Sequence, residues 1–254
     1  MAAIPANLLL LHHGEETLWQ RSLTQIQADP DLADHLALTE RVMDAIDVLR
    51  KSFTASDDER AISHLGLRTF NNFATAWKLA ASGYYQPAVS LLRDIIETIN
   101  LVSYFQIAPG ELARWRAADA RTLKNDFSPA PIRKALDDHA GRGKSKREAI
   151  YRKFSVLAGH PNMAGFAMLR PRGMDAQIGP FSDVTALRAV LEEMGMLAVQ
   201  AGFAFCIHLN ERDPLGSASV KRFLTGAMDY SGKFLGRVYS AAERAELERL
   251  FAAP

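Results

Sequence analysis

Five polar residues recur along one apolar segment. From Gln86 to Gln106 the chain carries Val89, Leu91, Leu92, Ile95, Ile96, Ile99, Leu101, Val102 and Phe105. Such a segment is hydrophobic nearly all round, which predicts a helix buried at the centre of the fold. Ser90, Arg93, Glu97, Asn100 and Tyr104 interrupt it at i, i+3, i+7, i+10 and i+14, so they share one narrow stripe. A guanidinium and a carboxylate in apolar surroundings cost heavily unless they are paired or face a wet cleft. Arg93 precedes Glu97, the weaker order for an intrahelical ion pair, so surface stabilisation explains the pattern poorly. Two readings stay open: an internal hydrogen-bonded pair that fixes packing, or a cleft in which Arg93 and Glu97 act and Asn100 and Tyr104 meet a substrate.

A second constellation is Tyr151-Arg152-Lys153-Phe154-Ser155-Val156-Leu157-Ala158-Gly159-His160-Pro161. Pro161 disfavours helical geometry at His160, which sets the imidazole at or just past a helix C-terminus. The helix dipole favours the protonated ring there. The histidine is either a C-terminal cap or a general acid or base supported by a neighbouring cation such as Arg152. Upstream runs a basic series, Arg133, Lys134, Arg142, Lys144, Lys146, Arg147, Arg152 and Lys153. It is either a solvated face or a phosphate-contacting patch, with Lys146, Arg147, Lys153 and Ser155 as the groups nearest a substrate. The stripe on the central helix needs a polar partner, and this segment is the one that offers a titratable ring, cations and irregular backbone together. The sequence therefore predicts that Arg93, Glu97 and His160 converge on one cleft, with Arg152 or Lys153 at its rim.

Other chemistries find no support. Gly143-Lys144-Ser145 ends like a phosphate-binding loop, but Asp138 stands where its first glycine belongs and no strand precedes it. His12 and His13 are adjacent, about 100° apart on a helix, and no His-Glu-x-x-His spacing occurs, so no metal site is expected. Neither a nucleophile elbow nor a dinucleotide-binding glycine motif is present, and no cofactor is implied. Cys206, the single cysteine, lies in an apolar run and reads as a small core residue suited to a reducing cytoplasm. Lys plus Arg is 30 against 29 for Asp plus Glu, so overall charge demands neither nucleic acid nor an anionic membrane. The apolar run Met194 to Leu209 is too short to span a bilayer and is interrupted by Gln200 and His208; no membrane association is expected.

The elements that must position these residues are helices. Leu32 to Phe53 follows Asp31 as a candidate N-cap. Ser56 and Glu59 have capping-box spacing and open a helix to Ser82, where Gly83 stops it. Pro87 suits the first turn of the central helix, and the short break predicts an antiparallel helical hairpin. Shorter helices follow over 111–125, from Ser128, and from Ser145 to Ala158. Gly159 to Asp183, rich in glycine and proline, predicts a long ordered loop or irregular hairpin. Ser182 or Asp183 then caps the longest helix, to Leu209, and two helices near 214–230 and 240–252 complete the chain. The expected fold is all-α, a single multi-helix bundle over 1–254 with a central hairpin, one irregular insertion, N-terminal helices over 1–55 and C-terminal helices over 211–254. Its amphipathic helices with small residues predict a homodimer.

Ala80-Ala81-Ser82-Gly83-Tyr84-Tyr85-Gln86-Pro87-Ala88, then Arg93 and Glu97, then Ser155, His160-Pro161 and Ile178-Gly179-Pro180, resembles an uncharacterised bacterial helical family, domain of unknown function 5677. The resemblance covers roughly residues 60 to 210. That family is distantly similar to the HEPN superfamily, many of whose members are ribonucleases in toxin–antitoxin and phage-defence systems. What the resemblance implies is a metal-independent ribonuclease or RNA-binding effector, in which His160 assists attack of the RNA 2′-hydroxyl and Arg152 or Lys153 holds the phosphate. HEPN nucleases carry Arg, four to six residues, then His. Here seven residues separate Arg152 from His160, and Lys153 takes the in-pattern place. The alternative is a non-enzymatic helical module that oligomerises or binds a partner protein.

Overall fold

A computed structural model describes residues 4–141, 146–159, 161–209 and 213–251, with Lys146 described by its backbone alone. It is all-α: eleven α-helices and no strand among the described residues, 79% helical. The helices are α1 (Ala6–Gln27), α2 (Pro30–Ser52), α3 (Asp57–Ala81), α4 (Tyr85–Ile107), α5 (Gly110–Arg116), α6 (Ala120–Asp126), α7 (Pro129–His139), α8 (Lys146–Phe154), α9 (Val184–Cys206), α10 (Pro214–Phe234) and α11 (Ala241–Leu250). A π-helical turn, Ser155–Gly159, continues α8, and a 3-10 turn, Gly165–Leu169, lies in the loop before α9.

Local chemistry sets most boundaries. Ser56 and Glu59 form the capping box at the start of α3. Asp183 caps α9 by accepting from the Thr185 and Ala186 amides. The helix expected from Leu32 starts two residues earlier, because Pro30 suits N1 and Asp29, not Asp31, accepts from the amides of Asp31 and Leu32. The helix expected over 111–125 is two, α5 and α6, with Asp119 capping the second. The longest helix is α3, with 25 residues, against 23 for α9.

The hairpin closes through a Schellman ending of α3. The Tyr84 amide donates to the Leu79 carbonyl at 2.8 Å and the Gly83 amide to that of Ala80 at 3.1 Å. Gly83 has φ +88°, and a Cβ there would stand 2.5 Å from the Phe181 carbonyl oxygen. Only glycine serves both demands. The Gly83 carbonyl accepts from the Phe181 amide, so the hairpin turn also anchors the loop entering α9.

The core lies between α2, α3, α4 and α9. Val42, Ile46 and Leu49 of α2, Phe73 of α3, Leu92 and Ile95 of α4, and Leu187, Leu191 and Met194 of α9 are essentially closed to solvent. By length and composition α9 could cross a membrane, but most of it is buried in the bundle, and it serves as the core helix. α10 packs on the outer side of α2 and on α9. Cys206 is buried, and burial pushes its thiol up to about 12, as fits a core residue. The segment 159–183 is an ordered loop without strands among its described residues. α1 differs: its second half packs on the bundle, whereas Leu8, Leu9, Leu10 and Leu11 are all exposed.

Small residues let α9 meet α10. A Cβ at Gly202 would fall inside the Phe223 ring, itself fully buried and held edge-on by Phe203 at 5.3 Å. Overpacking of this kind costs about 1–3 kcal/mol or more, set against about 1 kcal/mol of helix propensity gained. Gly202→Ala is expected to destabilise by about 2 kcal/mol net and lower Tm by about 4–8 °C. Gly14→Ala, at a helical position with nothing within 4 Å, is the control and should be neutral or slightly stabilising. Circular dichroism melts check this; equal Tm for the two variants would contradict the packing argument.

Candidate functional site

The polar stripe of α4 faces α7, α8 and the π turn. Its residues are used in order along the helix. Ser90 Oγ donates to the Ala158 carbonyl at 3.1 Å, and the Gln86 amide reaches the Gly165 carbonyl at 3.4 Å. These bonds tie α4 to the irregular backbone after α8. Asn162 braces that backbone again: its amide donates to the Val156 carbonyl at 2.7 Å and its Oδ1 accepts from the Gly165 amide at 2.9 Å.

One turn further along, three side chains meet. Arg93 Nη2 lies 3.1 Å from Glu97 Oε1 and donates to the Tyr151 hydroxyl at 2.6 Å, and that hydroxyl donates to the same Glu97 oxygen at 3.0 Å. The Arg93 and Glu97 side chains are 25% and 30% exposed, so the cluster sits at a cleft wall rather than in the dry core. Burial opposes the Arg93 charge, but the Tyr151 hydrogen bond and the attraction of Glu97 outweigh it and hold the guanidinium above its ordinary value. Arg93 also packs flat against glycine backbone: a Cβ at Gly159 would stand 2.8 Å from Arg93 Nη1.

A second cation joins. Arg133 of α7 places its Cζ 4.0 Å from the Tyr151 ring centroid, and that of Arg93 lies at 5.1 Å. Tyr151 thus holds two guanidinium groups by cation–π attraction while bridging one to a carboxylate. Arg133 Nη1, Arg93 Nε and Ser155 Oγ are buried and have no hydrogen-bond partner among the described residues. Unsatisfied buried donors are uncommon and call for an explanation. Two guanidinium groups, one carboxylate and unused donors make an anion-binding arrangement.

The other expected site residues are distributed as follows. Arg152 turns to solvent and pairs with Glu148, and Lys153 reaches Glu193 of α9 at 2.5 Å. Arg147 pairs with Asp137 at 2.7 Å. Neighbouring positions on α8 point about 100° apart, so Tyr151, rather than Arg152 or Lys153, meets Arg93. Asn100 is buried and lines a cavity beside Glu97. Tyr104 is half-buried, its ring 6.4 Å from that of Phe127, and burial together with Glu111 raises its hydroxyl pKa. His160 and the Lys146 side chain lie outside the described residues, and so does the predicted convergence of His160 on Arg93 and Glu97. Tyr151 and Arg133 are the members that single-residue reasoning passed over. The signal for Tyr151 is an aromatic ring with a polar end set among the charged residues of the Lys146–Phe154 helix. Among the described residues no group of three or more His, Cys, Asp or Glu comes together that could hold a metal.

No family model matches the chain, and no curated protein or solved structure compared with it does either.

If the tyrosine hydroxyl links Arg93 to Glu97, Tyr151→Phe should cost about 1–2 kcal/mol, the worth of hydrogen bonds to charged groups. Glu97→Ala should cost more, about 1–3 kcal/mol, less than a fully buried pair because water reaches both side chains. Urea denaturation measures both. Two variants within experimental error of wild type would mean that the cluster does not hold α8 to α4.

Proposed function

We propose that the protein binds RNA through this cluster and cleaves it without a metal, as a HEPN-like effector of a toxin or phage-defence system. The observation that carries the reading is the Arg133 guanidinium: stacked on Tyr151, beside Arg93, with a buried N–H that has no acceptor among the described residues. A phosphodiester balances the positive charge that Arg93 and Arg133 bring together against one carboxylate. In this reading Arg93 and Arg133 hold the phosphate, and Glu97 and Tyr151 fix the Arg93 guanidinium plane. His160, assigned by the sequence resemblance, takes the proton from the 2′-hydroxyl. The 2′-oxygen attacks phosphorus and the bond to the 5′-oxygen breaks. The products are a 2′,3′-cyclic phosphate and a 5′-hydroxyl, the leaving oxygen having received a proton. Arg152, exposed and committed to Glu148, serves the rim of the strand path at most.

The test uses single-stranded RNA in the presence of EDTA, with a 2′-deoxy strand as control. Wild type is expected to cut the RNA and leave the deoxy strand intact, and His160→Ala to abolish cutting without lowering Tm. Arg133→Met should weaken binding and flatten the dependence of log affinity on log salt by about 0.7, one phosphate contact on a single strand. RNA that is neither bound nor cut defeats the proposal.

A second reading is a non-enzymatic module that works by association, and one observation favours it. Leu8 to Leu11 expose four consecutive leucines on α1, with 39–70% of each open to solvent, and Ile4 adds to the patch. Exposed apolar surface of that kind marks contact sites. Multi-angle light scattering is expected to show a dimer at micromolar concentration and a monomer for Leu8→Asp/Leu10→Asp. A monomeric wild type would set this reading aside.

A further inference from the structure

Next to the cluster, residues of α3, α4, α5 and α7 line a half-open cavity of about 230 Å³. Its wall is mixed: Trp115 and Phe127 are among its apolar residues, and Arg68, Asp94, Glu97 and Asn100 among its polar ones. The polar members are unequally used. Asp94 takes two hydrogen bonds from Arg68, at 2.8 and 2.5 Å, and a third from Asn72, which leaves it little capacity. Glu97 spends Oε1 on Arg93 and Tyr151, while Oε2 has no partner among the described residues. Asn100 is the unexpected one. The residue is 9% exposed, yet its amide makes no hydrogen bond to any described residue. Its amide is therefore free to bond to whatever enters the cavity it lines.

We infer that this cavity is a pocket for a nucleobase bearing an exocyclic amino group, read by Asn100 and Glu97. A cavity of 150 Å³ holds benzene, so about 230 Å³ suits one heterocyclic base and not a whole nucleotide. Aromatic walls stack on bases, and amides and carboxylates read their edges. A carboxylate oxygen accepts from the cytosine N4 amino group, whereas the uracil O4 meets it as a second acceptor. The pocket adjoins the Arg93–Tyr151 cluster through Glu97, which belongs to both. A base seated here directs its own phosphate toward Arg93 and Arg133. The inference rests on the RNA-binding reading for its choice of a base over another planar heterocycle.

Isothermal titration with cytidine 5′-monophosphate, uridine 5′-monophosphate and inorganic phosphate tests it on the full chain. Cytidine monophosphate is expected to bind at least tenfold more tightly than either of the others. Asn100→Leu should erase the preference over the uridine nucleotide, while Arg133→Met should weaken both nucleotides and phosphate alike and leave the preference intact. Should Asn100→Leu fail to fold, Trp115→Leu, at the half-exposed wall, is expected to erase the advantage of cytidine monophosphate over phosphate. Equal affinities for all three probes in wild type, no binding at millimolar concentration, or a preference that survives the pocket variants would each overturn the pocket. Selective nucleotide binding by a protein that neither binds nor cuts RNA keeps the pocket and defeats the RNA reading. RNA binding that depends on Arg133, with cytidine monophosphate no tighter than phosphate, keeps the RNA reading and defeats the pocket.

Discussion

α4 is apolar on most of its circumference and charged along one line, and that line cannot be left against hydrocarbon. Its neighbours on that side are arranged by this requirement. α7 and α8 do not offer a smooth apolar surface to α4. They supply a tyrosine hydroxyl and a stacking guanidinium where the line carries Arg93 and Glu97, and the π turn supplies a carbonyl where it carries Ser90. On the α3 side the same requirement is met differently. Asp94, one residue round from Arg93, binds Arg68 in bidentate fashion and takes Asn72 as well, so the two arms of the hairpin are pinned in one register by charge. Hydrophobic burial holds these helices together; the polar contacts select which faces meet.

The opposite side of the bundle shows what happens without such a stripe. Where α2, α9 and α10 meet, the contact is set by shape. Gly195 leaves room for the Tyr230 hydroxyl and the His35 ring, which lie 2.9 Å from each other, and Gly202 leaves room for Phe223. His35 is buried, and burial depresses its pKa below the ordinary histidine value, as suits a neutral ring bonded to a phenol. The contacts of α9 and α10 are thus set by glycine and ring shape, and those of the α4 stripe by polar partners.

Much of the fold was readable in the chain because its signals are local. The Ser56 capping box, the Gly83 stop, the Asp183 cap and the apolar period of α4 each act within a few residues. The misplaced start of α2 and the division of one expected helix into α5 and α6 also have local causes, in Pro30 and Asp119. The site was legible only from one side. Periodicity put Arg93, Glu97 and Asn100 on a common line, but which residue of α8 meets them depends on how that helix is rotated. Charge pointed to Arg152 and Lys153; rotation presents Tyr151. Arg133 was visible as one basic residue among several, and nothing short of tertiary packing separates it from Lys134, which pairs with Asp138 at the surface.

The π turn bears on how distances along a chain should be counted. A π turn closes its hydrogen bonds over five residues where an α-helix uses four, so it takes up one additional residue without adding a further turn. Ser155–Gly159 lies wholly between Arg152 and His160. Residues that follow such a turn are therefore offset by one position from the register that an uninterrupted α-helix would give them. Spacing counted in residues and spacing counted in turns part company there, and side-chain direction follows the turns.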